Sequence, residues 1–156
     1  MYNIIVQRAV PKEEMPSIVN LKRWAKTALA KKTVAAELTL RIVDVTEMTE
    51  LNTRYRHKSG ATNVLSFPFD MPANIDFTIP VLGDIVICAD IVNREANVQE
   101  KMRSAHWAHM VIHGVLHLLG YDHEKEIDAI QMESEEIAIL ISLGFEDPYK
   151  IMQKGK

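Results

Sequence analysis

The chain has 156 residues, 47% of them hydrophobic and 25% charged, with a formal net charge of -3. That length and balance exclude disordered and fibrous classes and suit one globular domain over residues 1–156 better than two. The single cysteine, Cys88, excludes an internal disulfide framework and any CxxC metal site, and reads as a small core residue.

Tyr2 to Gln7, YNIIVQ, reads as a strand. It is too poor in apolar residues for a secretory signal, and nowhere does an apolar run reach membrane-spanning length. A cytoplasmic protein with no membrane partner is the expectation. From Pro16, apolar residues at Ile18, Leu21, Trp24, Ala25, Ala28 and Leu29 follow a helical period, which predicts a helix opened by the proline and ending near Lys31. ELTLRIVDV alternates and predicts a second strand. Asp44 followed by Glu47 resembles a capping box opening a helix through about Tyr55.

NVLSFPF and GDIVICA read as further strands, the first ended by Pro68. Between them DMPANIDFTIP, Asp70 to Pro80, has two prolines and no helical period, so it reads as a loop or flap. Helices fill most of the chain from Asp90 to Leu143, broken near Gly120. The order implies an α+β (α/β layered) fold, a single mixed β-sheet packed with helices.

Charge is unevenly spread. Residues 124–147 hold eight acids against one base, and the rest of the chain 13 acids against 17 bases. The body is therefore mildly basic, and the acidic run reads as a solvated helix face.

The richest stretch is HGVLHLLGYDH, His113 to His123, at the end of a helix that begins near Ala105. Trp107, Met110, Val111, Val115, Leu118 and Leu119 surround most of that helix, as expected for one buried against the sheet. His113 and His117, four apart, share one face. Both imidazoles can reach one metal ion at about 2.0–2.1 Å. Gly120 can take a positive φ and turn the chain so that His123 returns to the same ion, leaving one coordination position open. HxxxHxxGxxH is the ligand spacing of a metzincin-like metal-binding helix, but Gly114 stands where such peptidases keep a glutamate base. Peptide hydrolysis by that route is disfavoured.

HGVLHLLGYDH resembles the signature of the YbeY family of metal-dependent endoribonucleases, and LNTRYR, TNVLSFPF, LGDIVIC and LGFEDPY resemble its other blocks, from about Leu51 to Tyr149. The family often has Asp where this chain has Asn63. The resemblance implies a single-strand-preferring endoribonuclease that matures ribosomal RNA, including the 3′ end of the small-subunit RNA, and serves ribosome quality control. It implies one zinc ion per chain on His113, His117 and His123, and a functional arginine at Arg56. Ribosomal RNA and small-subunit components are the partners it implies. No DNA partner is expected, and the oligomeric state is not specified.

The chemistry is compatible. A three-histidine zinc with an open position polarises a phosphoryl oxygen or acidifies a water, and a bidentate Arg56 positions the phosphate. Arg54, His57 and Lys58 extend a small basic patch suited to an RNA backbone. His109, one turn before His113, reads as support for the ligands or as surface. Asp122 could fix a ligand imidazole or cap the turn, and Ser66 and Asn63 could line the cleft. A metallohydrolase of another class, such as a peptidase, and a ribosome-assembly factor with structural zinc remain alternatives. Structural zinc usually takes four protein ligands, which favours catalysis.

Overall fold

The computed structural model describes residues 1–70 and 79–150. Strand β1 (Tyr2–Arg8) leads through a single 3₁₀ turn at Lys12–Glu14 to α1 (Ile18–Ala30) and β2 (Ala36–Val43). Then come α2 (Val45–Arg56), β3 (Val64–Pro68), β4 (Val81–Cys88), α3 (Ala89–Val98), α4 (Arg103–Leu118) and α5 (Glu126–Ser142). The strands form one sheet in the order β1-β2-β4-β3. β1 and β4 run parallel to β2, and β3 runs antiparallel to β4 at the edge. This is the mixed-sheet α+β architecture the residue pattern implied. Most of the anticipated flap, residues 71–78, lies outside the described residues.

Alternation divides the sheet into two faces. Leu38, Leu40 and Ile42 of β2 and Ile85 and Ile87 of β4 meet Leu21, Trp24 and Leu29 of α1 and Trp107, Ile112 and Leu116 of α4 in the main core. Burying each such side chain contributes about 1.5–3 kcal/mol. The Trp107 indole, fully buried, donates to Asn93 Oδ1 at 2.7 Å, which ties α4 to α3 without leaving a polar atom stranded. On the opposite face Met48 of α2 packs with Val43, Leu65, Val86 and Cys88, so Cys88 is a core residue.

Helix ends depart from the sequence expectations in instructive ways. Ser17 caps α1, accepting from the Asn20 N–H at 3.1 Å, so Pro16 precedes the cap instead of occupying the first turn. Asp44 caps α2 by accepting from Glu47 N–H at 2.9 Å, but the Glu47 carboxylate does not reach back. It accepts from Arg41 Nε and Nη2 at 2.6 and 2.9 Å, making half a capping box and an ion pair between α2 and β2. The long C-terminal helical stretch also breaks a second time, at Gln99–Met102, where Glu100 takes φ 53°. Lys101 N–H bonds to Ala96 C=O at 2.9 Å across that turn, a Schellman closure without glycine. Among the described residues, no helix is long and apolar enough to cross a membrane.

Candidate metal centre

Helix α4 is buried along eleven of its positions, so the few polar side chains it carries are held in fixed directions. It ends in a full Schellman motif. Gly120, at φ 104°, donates to His117 C=O at 3.0 Å, and Tyr121 N–H bonds to Leu116 C=O at 3.0 Å. The reversal brings His123 back over the helix end, its ring 5.5 Å from that of His113 and 4.9 Å from that of His117. One ligand atom from each of the three residues lies within 4.8 Å of the other two.

The hydrogen bonds around this triad set the protons. A carbonyl can only accept, so the 3.0 Å contact between His117 Nδ1 and Tyr121 C=O places a proton on Nδ1. His113 Nδ1 likewise donates to Glu136 Oε2 at 2.5 Å. The Nε2 atoms of both rings, 3.1 Å apart, are then left with lone pairs facing each other. A tetrahedral cation with ligands at 2.0–2.1 Å would hold two nitrogens about 3.3 Å apart and replace that repulsion with attraction. The residues present therefore fit a metal ion. Burial, and then the neighbouring charges of His113 and His123, lower the His117 pKa from its ordinary value, which keeps the imidazole neutral as a ligand must be.

Glu136 is the residue that sequence reasoning missed. It belongs to the acidic run read as a solvated face, yet it is 1% exposed. His109 Nε2 donates to its Oε1 at 2.8 Å, and the Tyr149 hydroxyl donates to the same oxygen. Burial alone would raise the Glu136 carboxyl, but the hydrogen bonds of His109 and His113 hold it far below the usual carboxylate range. Burial and then the bond to Glu136 push the Tyr149 phenol up, so it stays a donor. The signal was available in the periodicity. Met132, Glu136, Ile139 and Leu140 form the buried stripe of α5, and a carboxylate on such a stripe needs partners.

The glycine in HGVLH has a steric cause. A Cβ at Gly114 would stand 2.6 Å from Ile85 Cγ2 and 3.2 Å from Ile85 Cδ1, inside the fully buried contact between α4 and β4. Ser66 Oγ also donates to the Gly114 carbonyl at 3.2 Å, another mark of close approach. No side chain fits here, and a glutamate least of all. Gly114→Ala is expected to destabilise the protein by about 1–3 kcal/mol through overpacking. Chemical denaturation checks this, and the sign is diagnostic, because in an open helix the same change stabilises by about 1 kcal/mol.

A cleft of about 630 Å³ opens beside the triad, and its walls include His113, His117, His123, Arg56, Asn63, Ser66 and Asp122. Arg56 closes α2 and reaches the cleft although it lies far from the histidines in sequence. Its Nη2 donates to Ser66 C=O at 2.6 Å, and its guanidinium carbon sits 5.7 Å above the Phe67 ring, which together fix the fork. Asn63 lines the cleft with its amide committed elsewhere. Its Nδ2 donates to Glu95 at 3.1 Å, and its Oδ1 accepts from Val64 N–H at 2.7 Å. Glu95 also meets the buried His106 Nε2 at 2.9 Å. Asp122 caps the turn, accepting from His123 N–H at 2.7 Å, and among the described residues it makes no hydrogen bond to a ligand imidazole. His109 lies behind the triad, bonded to the same Glu136 carboxylate as His113, and is buried, not surface.

A family model described as endoribonuclease YbeY matches residues 7–144. The endoribonuclease YbeY of Nitrosococcus oceani is 54% identical over 145 residues, covering 93% of this chain and 95% of the relative. The solution structure of TM1509 from Thermotoga maritima shares the fold, with a TM-score of 0.59 at 24% identity, over 100% of this chain and 99% of that one. A match of this extent, running through the histidine turn and the strands beside it, makes the chain a member of the YbeY endoribonuclease family.

Proposed function

We propose that the protein is a zinc-dependent endoribonuclease that cleaves single-stranded stretches of ribosomal RNA during maturation and quality control of the small subunit, acting in the cytoplasm as a single domain. The observation that carries this reading is that one open cleft holds both the histidine triad and Arg56, in a chain of a family named for endoribonuclease activity. In this reading His113, His117 and His123 bind one Zn²⁺. Bound there, the ion supplies Lewis acidity toward a phosphoryl oxygen and lowers the pKa of a water toward ~7.

The chain's own residues do the rest. Glu136 and the Tyr121 carbonyl keep the Nδ1 protons of His113 and His117 in place, so that both Nε2 atoms face the ion. Arg56, anchored by one Nη2, turns its remaining donors to a phosphate and offsets charge that develops at phosphorus. Arg54 and Lys58 supply positive charge for the RNA backbone near the same helix end, with His57 between them in sequence as a further polar contact. A peptidase reading lacks its base, since Gly114 has no room for a side chain. A purely structural zinc would leave an open cleft and a fixed arginine without a purpose.

The purified protein is expected to cut ribosomal RNA in a chelator-sensitive way, to hold one zinc per chain by elemental analysis, and to leave casein intact. Chelator-sensitive casein cleavage without RNA cleavage would reverse this reading, and full zinc without any RNA cleavage would favour the assembly-factor alternative.

A further inference from the structure

We infer that Glu136 is a positioning residue of the metal centre, fixing His113 as a ligand and setting how tightly the ion is held, with Tyr149 and His109 as its supports. The inference rests on the metal-centre reading above and deepens it. Besides their apolar packing in the core, α5 and Tyr149 after it join α4 through this carboxylate. Two histidine N–H groups and a phenol hydroxyl converge on its two oxygens, Oε2 taking His113 and Oε1 taking both His109 and Tyr149.

Such an arrangement costs too much to be incidental. A carboxylate that is 1% exposed loses most of its hydration, and an apolar residue on the α5 stripe would fill the space without that loss. What the carboxylate provides is direction. It accepts the His113 Nδ1 proton, excludes the tautomer with a proton on Nε2, and places a negative charge behind the ring, which makes Nε2 a better donor to a cation. The three donors hold the carboxylate in turn. Its Oε1 cannot rotate toward His113 without giving up both His109 and Tyr149. His117 is oriented by a neutral carbonyl instead, so the two ligands of α4 are unequal and the charge sits behind His113 alone.

Glu136→Gln keeps the volume and removes the charge. Its amide has two orientations, and only one offers an acceptor to His113 Nδ1. The other presents an N–H to that atom and favours the tautomer that cannot ligate. His109 can exchange tautomers to accept from the first orientation, which leaves its buried Nδ1–H without an acceptor among the described residues, so a lowered melting temperature is expected whatever the metal affinity does. Tyr149→Phe is the milder control, removing one support and leaving the carboxylate.

The test measures Co²⁺ and Zn²⁺ affinity by competition with a chelator, alongside the visible d–d absorption of the Co²⁺ protein and the melting temperature of the metal-free form. Glu136→Gln should weaken metal binding about 10–100-fold and shift the cobalt bands. Tyr149→Phe should weaken it about fivefold, as expected for losing one supporting hydrogen bond. Affinity within twofold of wild type and an unchanged spectrum in Glu136→Gln, with only the melting temperature lowered, would reduce Glu136 to a packing role and overturn the inference while leaving the metal centre standing. A wild-type protein that binds neither ion would overturn both.

Discussion

A His117→Ala protein is expected to lose metal at micromolar concentrations and to cleave RNA more than about a thousand times slower than wild type. Removing a catalytic ion forfeits several kcal/mol of transition-state stabilisation, which corresponds to roughly three orders of magnitude or more. His117 is a cleaner choice than His113. Its Nδ1 partner is the Tyr121 carbonyl, only partly buried just past the helix end, whereas losing His113 would also strip a donor from the buried Glu136. The melting temperature of metal-free His117→Ala should therefore stay near that of the metal-free wild type. Elemental analysis and single-turnover cleavage of a ribosomal RNA fragment check both halves. Full occupancy in the variant, or undiminished cleavage without metal, would remove His117 from the site.

Arg56→Ala should behave in the opposite way, with full metal content and cleavage about 10²–10³-fold slower, the usual effect of losing one preorganised electrostatic donor. Arg56→Lys should recover part of the rate, because an ammonium keeps the charge without the planar fork that holds two phosphate oxygens. The guanidinium also anchors to Ser66 and covers Phe67, so a modest loss of stability is expected in Arg56→Ala. Turnover and binding must be separated. If turnover is unchanged and RNA binding alone weakens, most at low salt and with a shallower salt dependence than wild type, Arg56 is a backbone clamp and not a catalytic residue.

What could be read from sequence was what short-range spacing encodes. His113, His117 and His123 were legible because the four-residue step and the glycine turn fix their geometry within one helix end. The strands were legible because alternation reports two faces. Arg56 could be placed only through the family resemblance, since its approach to the triad depends on β3 lying between α2 and α4. Glu136 was lost in a run of acids, because net charge is blind to which acid faces inward. The break at Glu100 was missed because neither glycine nor proline marks it, and the positive φ is held by the backbone bond from Lys101 N–H to Ala96 C=O against residue preference.

The edge strand β3 has a property that bears on what can enter the cleft. Asn63 C=O and Phe69 N–H bond to β4, at 2.9 Å each, and alternation in an antiparallel ladder turns the backbone groups of Val64, Ser66 and Pro68 outward. Each outward position is already blunted. The Val64 N–H is taken by the Asn63 side chain, the Ser66 carbonyl by Arg56, and Pro68 has no N–H to offer. An extended polypeptide that docks by adding a strand would find no continuous row of partners here, and neither would the edge of a second copy. Arg56, the residue proposed to take a phosphate, thus also closes the rail on which a peptide would ride, so in that reading the main chain disfavours a peptide as well as the missing glutamate does.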